Sequence, residues 1–185
     1  MHFANITFRA KCYVRHPGHG LSAHPRENFR EKRGGAEKAP GQRTIMKYAL
    51  IGCGRIATNH VRAVLNNGLE FTAACDVVPE NIESLLARHG LAGDSTIARY
   101  TDHRKMLDGH LELELVAIAT SSGAHARIAL DCIDRGINVI IEKPMAMSMA
   151  DADEIIRRSE AKGVKVCACH QNRFNVAVQK TRRAL

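Results

Sequence analysis

The stretch KYALIGCGRIA, residues 47–57, decides the fold of this chain. Residues 47–51 predict a short strand, residues 52–54 a turn and residues 56–65 a helix. The segment 52–57 has the form GxGxxG/A, in which small residues let a backbone turn approach a pyrophosphate. Glycine-rich turns are common, so the match alone is weak. Its position between a predicted strand and a predicted helix makes it stronger.

Apolar runs and helical patterns alternate along the rest of the chain. Strands are predicted at residues 71–75, 99–101, 115–119, 138–141 and 164–168, and helices from Pro79, at 124–135, at 148–162 with Ser148 as cap and Gly163 as terminator, and at 176–185. In the first helix, the positions expected to face the core are Ile56, Val61, Val64 and Leu65. Strands that are apolar on both faces and alternate with helices indicate a parallel sheet covered on both sides. The predicted fold class is therefore α/β, a doubly wound parallel sheet.

The positive charge of the chain is concentrated near its beginning. The net charge is +8, and of the 27 basic and 19 acidic residues, nine and three respectively lie within residues 1–45. That leaves 18 basic and 16 acidic residues in 46–185, which is close to neutral. A near-neutral globular part without runs of aromatic residues argues against nucleic acid as a partner. We expect residues 1–45 to be a disordered basic extension and Met46 to be the natural start. The alternatives are a transit peptide and a basic arm that contacts nucleic acid.

The apolar runs and the cysteines of the sequence indicate where in the cell the protein is expected. No run approaches the roughly 18 apolar residues that a membrane span needs, so no membrane contact is expected. The six cysteines form no CxxC pair and no zinc-site spacing, and no metal site is predicted. Most of them lie in apolar stretches, which favours reduced and partly buried thiols. We therefore expect a cytoplasmic protein.

The glycine turn and one acidic residue predict a dinucleotide site. Gly52 permits the tight turn, Gly54 lets the backbone approach the phosphates, and the start of the helix at Ile56 offers free N–H groups to them. Asp76 ends the second predicted strand, at the distance from the turn where an acidic residue accepts hydrogen bonds from the adenosine ribose. Its charge would repel a 2′-phosphate and favour NAD over NADP. Arg55, beside the phosphates, weakens that preference.

Four short motifs carry a family resemblance: ALIGCG at 49–54, TSSGAH at 120–125, EKP at 142–144 and QNRF at 171–174. In order and spacing they resemble the Gfo/Idh/MocA oxidoreductases, which include glucose-fructose oxidoreductase and inositol dehydrogenase. The resemblance covers residues 46–185 almost continuously, and EKP is its most specific element. It implies a two-domain enzyme that uses NAD(H) or NADP(H) to oxidise or reduce a carbon of a sugar, inositol or sugar nucleotide.

The resemblance assigns roles to individual residues. Lys143 matches the lysine that contacts the reacting hydroxyl and helps to move its proton, so it is the predicted catalytic residue. An ammonium beside a positively charged nicotinamide releases its proton more readily. Beyond the glycine turn and Asp76, the predicted cofactor contacts are Thr120, Ser121, His125, Glu142, Lys143, Gln171 and Asn172. In the family, the bond before the proline that Pro144 matches is often cis.

The resemblance also implies a domain organisation. Residues 46–170 would be the NAD(P)-binding domain, and residues 171–185 the start of a linker helix to a C-terminal substrate domain. In the family that second domain binds substrate, forms the oligomer interface and carries an Asp and a His of the catalytic group. We expect this chain to be a truncated, inactive cofactor-binding half, and a homo-oligomer when full length. The alternative is a non-catalytic dinucleotide-binding module or cofactor sensor, against which the retention of Lys143 argues.

Overall fold

Six parallel strands form one sheet in the computed structural model, which describes residues 45–184. The extension predicted at 1–45 therefore lies outside the described residues, apart from Ile45. In chain order the strands are β1 (Lys47–Ile51), β2 (Glu70–Cys75), β3 (Ala98–Tyr100), β4 (Leu115–Ile118), β5 (Asn138–Ile141) and β6 (Val166–Ala168). Their order across the sheet is β3-β2-β1-β4-β5-β6, and every pair is parallel. The strand order reverses direction beside β1, as in the classic dinucleotide-binding fold.

Helices connect the strands on both sides of the sheet. They are α1 (Ala57–Asn66), α2 (Pro79–Arg88), α3 (His103–Gly109), α4 (His125–Asp134), α5 (Met149–Lys162) and α6 (Val176–Ala184). Short 3₁₀ turns at Ser122–Ala124 and Gln171–Phe174 precede α4 and α6. The predicted helix at 124–135 thus begins one residue later and ends one residue earlier than expected.

Local capping chemistry fixes several helix ends. The Asp102 carboxylate accepts hydrogen bonds from two backbone N–H groups at the start of α3, at 2.8 and 3.4 Å. The Ser148 hydroxyl accepts a hydrogen bond from Asp151 N at 3.1 Å, and Gly163 ends α5 in the left-handed conformation with φ of 65°. Both α5 boundaries are those that the sequence predicts.

The core has two halves, one on each face of the sheet. Along β1, Ala49 and Ile51 pack into one cluster, and Tyr48 and Leu50 pack into the other. Alternate side chains of a strand point to opposite faces, so a strand buried in both clusters must be covered on both sides. The doubly wound α/β prediction is confirmed.

The prediction is also wrong at Leu65 and at the start of the last strand. Leu65, expected to face the core, is 47% exposed, because the buried face of α1 follows Ala57, Val61 and Val64 at helical spacing and Leu65 lies one position further round. The strand predicted at 164–168 begins at Val166. Val164 N donates instead to Ser159 O at 3.0 Å, which completes the C-terminal turn of α5.

Gly52 and Gly54 provide a matched pair for testing the turn after β1. At Gly52, φ is +93° and an added Cβ would lie 2.5 Å from the backbone carbon of Ala119, whereas at Gly54 nothing lies within 4 Å of that position. We expect Gly52→Ala to lower the free energy of unfolding by about 2–4 kcal/mol, through strain and overpacking. Gly54→Ala should leave it within about 1 kcal/mol of the parent. Urea unfolding followed by circular dichroism measures both, and equal losses in the two variants would contradict the geometry.

Candidate functional site

The carboxyl ends of four neighbouring strands lie along one edge of the sheet. Gly52 follows β1, Asp76 follows β2, Ala119 follows β4 and Glu142 follows β5. Because all strands are parallel, these segments share the same edge, which is where open α/β sheets bind ligands. Residues far apart in the sequence are therefore brought together at the point where the strand order reverses.

The turn after β1 is held tightly against its two neighbouring strands. Gly52 N donates a hydrogen bond to Cys75 O at 2.8 Å, and Ala119 N donates to Ile51 O at 2.7 Å. A Cβ at Gly52 would lie 2.5 to 2.7 Å from backbone atoms of Ala119 and Thr120. Only glycine fits this position, so the backbone of the turn approaches the end of β4 directly.

Asp76 is the acidic residue that joins this turn to α2. Its Oδ2 accepts a hydrogen bond from Cys53 N at 2.7 Å, and its Oδ1 accepts from Val78 N at 2.9 Å and from Asn81 Nδ2 at 3.2 Å. The carboxylate thus lies against the glycine turn, and the ribose contact predicted for it stays a prediction. Negative charge is fixed at the end of β2 by donors on both sides of it.

The first turn of α1 provides donors for an anion. Ile56 occupies the N-cap position and has no polar side chain with which to cap the helix, and Ala57 N donates to Gly54 O at 3.1 Å. The N-terminus of a helix carries partial positive charge and free N–H groups. Gly54, with no atom within 4 Å of its missing Cβ, leaves its backbone accessible, and the exposed Arg55 adds a positive charge beside it. These features fit the pyrophosphate of a dinucleotide.

Cys53, within the turn, is not a reactive thiol in this setting. Its side chain is 1% exposed, and burial raises the pKa of Cys53 to about 12, with further raising by the nearby Asp76. A thiol with so high a pKa carries almost no thiolate at neutral pH, and the thiolate is the nucleophile. Cys53 serves as a small buried residue of the turn.

His125 is buried between the segments that follow β4 and β5. The side chain is 1% exposed, with Nδ1 2.7 Å from the carbonyl oxygen of Pro144 and Nε2 3.0 Å from that of Thr120. A neutral imidazole donates to one of these carbonyls at a time, and a doubly protonated ring donates to both. Both ring nitrogens face backbone groups of the protein, and the contact with the cofactor predicted for His125 stays a prediction.

Lys143 is exposed at the end of β5. The peptide bond between Lys143 and Pro144 is cis, as the family resemblance implies. The preceding residue, Glu142, is anchored by its backbone N, which donates to Ile118 O at 2.9 Å. Thr120 is half-buried and Ser121 is exposed, both directly after the β4 end. The predicted residues Thr120, Ser121 and Lys143 therefore lie at the same edge as the glycine turn.

Gln171 and Asn172 lie in the 3₁₀ turn that follows β6, and both are exposed. β6 is the outermost strand of the sheet, so this turn is further from the glycine turn than the ends of β4 and β5. The predicted contact of these two residues with the cofactor stays a prediction.

Two residues near Glu142 were missed by the sequence reasoning. His60 Nε2 lies 2.9 Å from Glu142 Oε1, and Cys169 contributes a third ligating atom close by. The hydrogen bond with His60 is the main reason why the pKa of Glu142 is lowered, although partial burial opposes the shift. No sequence spacing signals this group, because it joins α1 to the ends of β5 and β6.

The strand order, the glycine turn and the carboxylate after β2 define a nucleotide-binding domain of the Rossmann class. The family described as "Oxidoreductase family, NAD-binding Rossmann fold" matches residues 46–170. The chain belongs to this Gfo/Idh/MocA oxidoreductase family.

Curated relatives and solved structures agree with this assignment. D-apiose dehydrogenase of Paraburkholderia graminis is 31% identical over 140 residues, 75% of this chain and 36% of that protein. Inositol 2-dehydrogenase of Salmonella typhimurium is 27% identical over 123 residues, 65% of this chain and 35% of that protein. The WlbA dehydrogenase of Bordetella pertussis, solved with NADH and UDP-GlcNAcA, superposes with a TM-score of 0.68 at 29% identity and covers 76% of this chain and 42% of its own. The chain therefore spans little more than a third of the curated relatives' length.

Two further observations concern the described residues alone. Cys53, Cys75, Cys132 and Cys169 form no disulfide bond. Among residues 45–184, no helix has the length and apolar character required to cross a bilayer.

The hydrogen bond from His60 predicts a defined acid response for Glu142. A carboxyl whose pKa is lowered by folding contributes stability above its ordinary pKa of about 4.3, and this contribution is lost as pH falls through the lower folded value. We expect Glu142→Gln to reduce stability at neutral pH and to flatten the loss between about pH 5 and pH 3. Thermal unfolding at a series of pH values measures this. Glu160→Gln, at an exposed position of α5, is the control and should keep the parent profile.

Proposed function

We propose that this chain binds a nicotinamide dinucleotide at the carboxyl edge of its sheet, and that the protein is an NAD(P)-dependent dehydrogenase. Its substrate would be a sugar, inositol or sugar nucleotide, and the enzyme would transfer a hydride to or from a hydroxyl-bearing carbon of that substrate. The observation that carries the proposal is the placement of the glycine turn, Asp76 and Lys143 along one edge. Family membership and relatives named for apiose and inositol support it.

In this proposal each segment of the edge holds a different part of the cofactor. Gly52 shapes the turn, and the backbone N–H groups of Gly54, Arg55 and Ile56, just ahead of α1, bind the pyrophosphate together with the side chain of Arg55. Asp76 accepts hydrogen bonds from the adenosine ribose. The segments that line the nicotinamide half are those of Thr120, Ser121, Glu142, Gln171 and Asn172. The bound dinucleotide supplies or takes the hydride.

Lys143 is the proposed catalytic residue. It is exposed at the β5 end, next to a carboxylate that His60 and the backbone hold in place. A fixed neighbour restricts where the lysine backbone lies, and a proton-transfer group needs such positioning. We propose that the Lys143 ammonium contacts the reacting hydroxyl and moves its proton.

We further propose that NAD is preferred to NADP. The Asp76 carboxylate is fixed by three hydrogen bonds, so it cannot turn away from a 2′-phosphate without losing them. The flexible, exposed Arg55 offsets this repulsion only in part. The solved Bordetella pertussis relative contains NADH, which supports this preference.

The remaining properties are proposed from the family resemblance. Family members carry a substrate-binding domain that also forms the oligomer interface, and turnover of a sugar needs the Asp and His of that domain. We propose a cytoplasmic homo-oligomer in which residues 46–170 bind the cofactor and residues 171–185 begin the connection to the substrate domain.

A second candidate is a non-catalytic dinucleotide-binding module or cofactor sensor. Such a module would need only the glycine turn and the Asp76 carboxylate beside it. The presence of Lys143 favours the dehydrogenase, because a sensor needs no proton-transfer group at that position.

Titration of the 185-residue chain with NADH and NADPH tests the cofactor proposal. We expect NADH to bind more tightly. Asp76→Asn keeps an acceptor for Cys53 N but removes the charge, so it should reduce the preference for NADH by about tenfold, equivalent to 1.4 kcal/mol. Asp153→Asn, at an exposed position of α5, is the control. An unchanged preference in Asp76→Asn, or no binding of either cofactor to a folded chain, would sink the proposal.

A second experiment uses Gly54→Ala, for which the structure predicts an intact fold. The added methyl group occupies the space beside the backbone that the pyrophosphate is proposed to approach. We expect NADH binding, followed by the change in its fluorescence, to weaken by about tenfold or more. Gly93→Ala also adds a methyl group in open space, but in the loop between α2 and β3, and serves as the comparison. Equal affinity in the parent and Gly54→Ala would place the pyrophosphate elsewhere.

A further inference from the structure

Three side chains of the types that ligate metal ions, each from a different part of the fold, lie close together next to Lys143. His60 is buried on α1, Glu142 follows β5, and Cys169 follows β6. One ligating atom from each lies within 4.8 Å of the other two. His60 Nε2 and Glu142 Oε1 are 2.9 Å apart, with side-chain exposures of 5% and 14%.

The chemistry of the three groups suits one class of cation. Imidazole nitrogen, thiolate sulfur and carboxylate oxygen are the ligands of Zn²⁺ in proteins, and three protein ligands leave one position of a tetrahedral site open. Hard cations such as Mg²⁺ and Ca²⁺ take oxygen ligands and would not use the sulfur. The set therefore favours a zinc-type divalent cation.

The geometry requires small movements only. Zinc-to-ligand distances of about 2.0 to 2.3 Å place neighbouring ligand atoms of a tetrahedral site about 3.5 Å apart. The three atoms already lie within 4.8 Å of one another, and the His60–Glu142 pair, at 2.9 Å, would separate by roughly half an ångström. Side-chain rotations on this scale need no change in the backbone.

The backbones that carry the ligands are held rigidly. Glu142 N donates to Ile118 O at 2.9 Å, and Cys169 N donates to Ile141 O at 2.8 Å, so both residues are fixed to the sheet. His60 lies on the buried face of α1 with Ala57 and Val61. Ligands on rigid elements form a more precise site than ligands on free loops.

We propose that His60, Glu142 and Cys169 form a binding site for a zinc-type divalent cation that links α1 to the ends of β5 and β6. The cation takes the place of the hydrogen bond between His60 and Glu142, and it is held by His60 Nε2, a Glu142 oxygen and Cys169 Sγ. Glu142 also belongs to a segment proposed to line the nicotinamide half, so the cation site adjoins the dinucleotide contacts, but its existence does not depend on them.

Binding of the cation has a defined proton balance. Burial raises the pKa of Cys169 to about 12, so the thiol carries its proton in the metal-free protein. Coordination of Sγ releases that proton to solvent, and His60 presents the lone pair of Nε2 to the metal. A hydrogen-bonded triad without metal is the competing description of the same cluster.

Cobalt(II) is the direct probe, because a thiolate ligand gives Co²⁺ an intense near-ultraviolet band that imidazole and carboxylate ligands do not. We expect the 185-residue chain to show this band and to release bound Co²⁺ to Zn²⁺. Cys169→Ser should lose the band. His60→Gln, which keeps a donor for Glu142 but removes the ligating nitrogen, should weaken it.

Two cysteines serve as controls. Cys167→Ser, two positions away, should keep the band, and Cys12→Ser tests the other thiol that stands among histidines of the sequence, at His2, His16, His19 and His24. A band that survives Cys169→Ser but disappears in Cys12→Ser overturns the proposal. Absence of any thiolate band in the parent chain does so as well.

Alkylation of the parent chain gives a result even if Cys169→Ser fails to fold. Iodoacetamide labelling at about pH 9, continued until Cys169 reacts in the metal-free chain despite its raised pKa, is followed by peptide mass spectrometry with and without Zn²⁺. We expect Zn²⁺ to slow the labelling of Cys169 by about tenfold or more, because a bound thiolate is shielded from the reagent, and to leave the labelling of Cys167 unchanged. Equal labelling of Cys169 in both samples overturns the site and supports the hydrogen-bonded triad.

Discussion

The close approach of the Gly52 backbone to the end of β4 is the constraint on which the other features of the site depend. A side chain at this position would lie inside the van der Waals distance of Ala119 and Thr120. Without that approach β1 and β4 would separate at their carboxyl ends, and the turn could not meet both neighbouring strands. Two backbone hydrogen bonds hold the turn to these strands. Gly52 N donates to Cys75 O at 2.8 Å, and Ala119 N donates to Ile51 O at 2.7 Å. The close packing at Gly52 thereby fixes the position of the turn at the carboxyl edge of the sheet.

The turn has negative charge on one side and partial positive charge on the other. Asp76 holds negative charge against the turn, while the start of α1 offers positive partial charge a few residues away. The two charges lie on either side of one short loop, so the edge can orient a ligand that has a phosphate at one point and hydroxyl groups at another. This polarity, more than the shape of the edge, explains why the domain suits a dinucleotide.

The sequence predicted the parts of this arrangement that are local in the chain. The strand, turn and helix around Gly52, the cap at Ser148 and the stop at Gly163 each follow from a few adjacent residues, and Asp76 follows from its distance to the turn. Long-range contacts escaped prediction. The burial of His125 depends on the carbonyl oxygen of Pro144, and the cluster of His60, Glu142 and Cys169 depends on the order of the strands, which no periodicity encodes.

The position of His125 has a consequence for how the domain can vary between relatives. One planar ring reaches carbonyl oxygens in the segments that follow β4 and β5. The span of the ring is fixed by its covalent geometry, so the two segments cannot shift independently of each other. An insertion or deletion in either one would break the span, whereas exchange of exposed side chains would not. In this chain the ring therefore constrains the length of the two loops more than it constrains their exposed side chains.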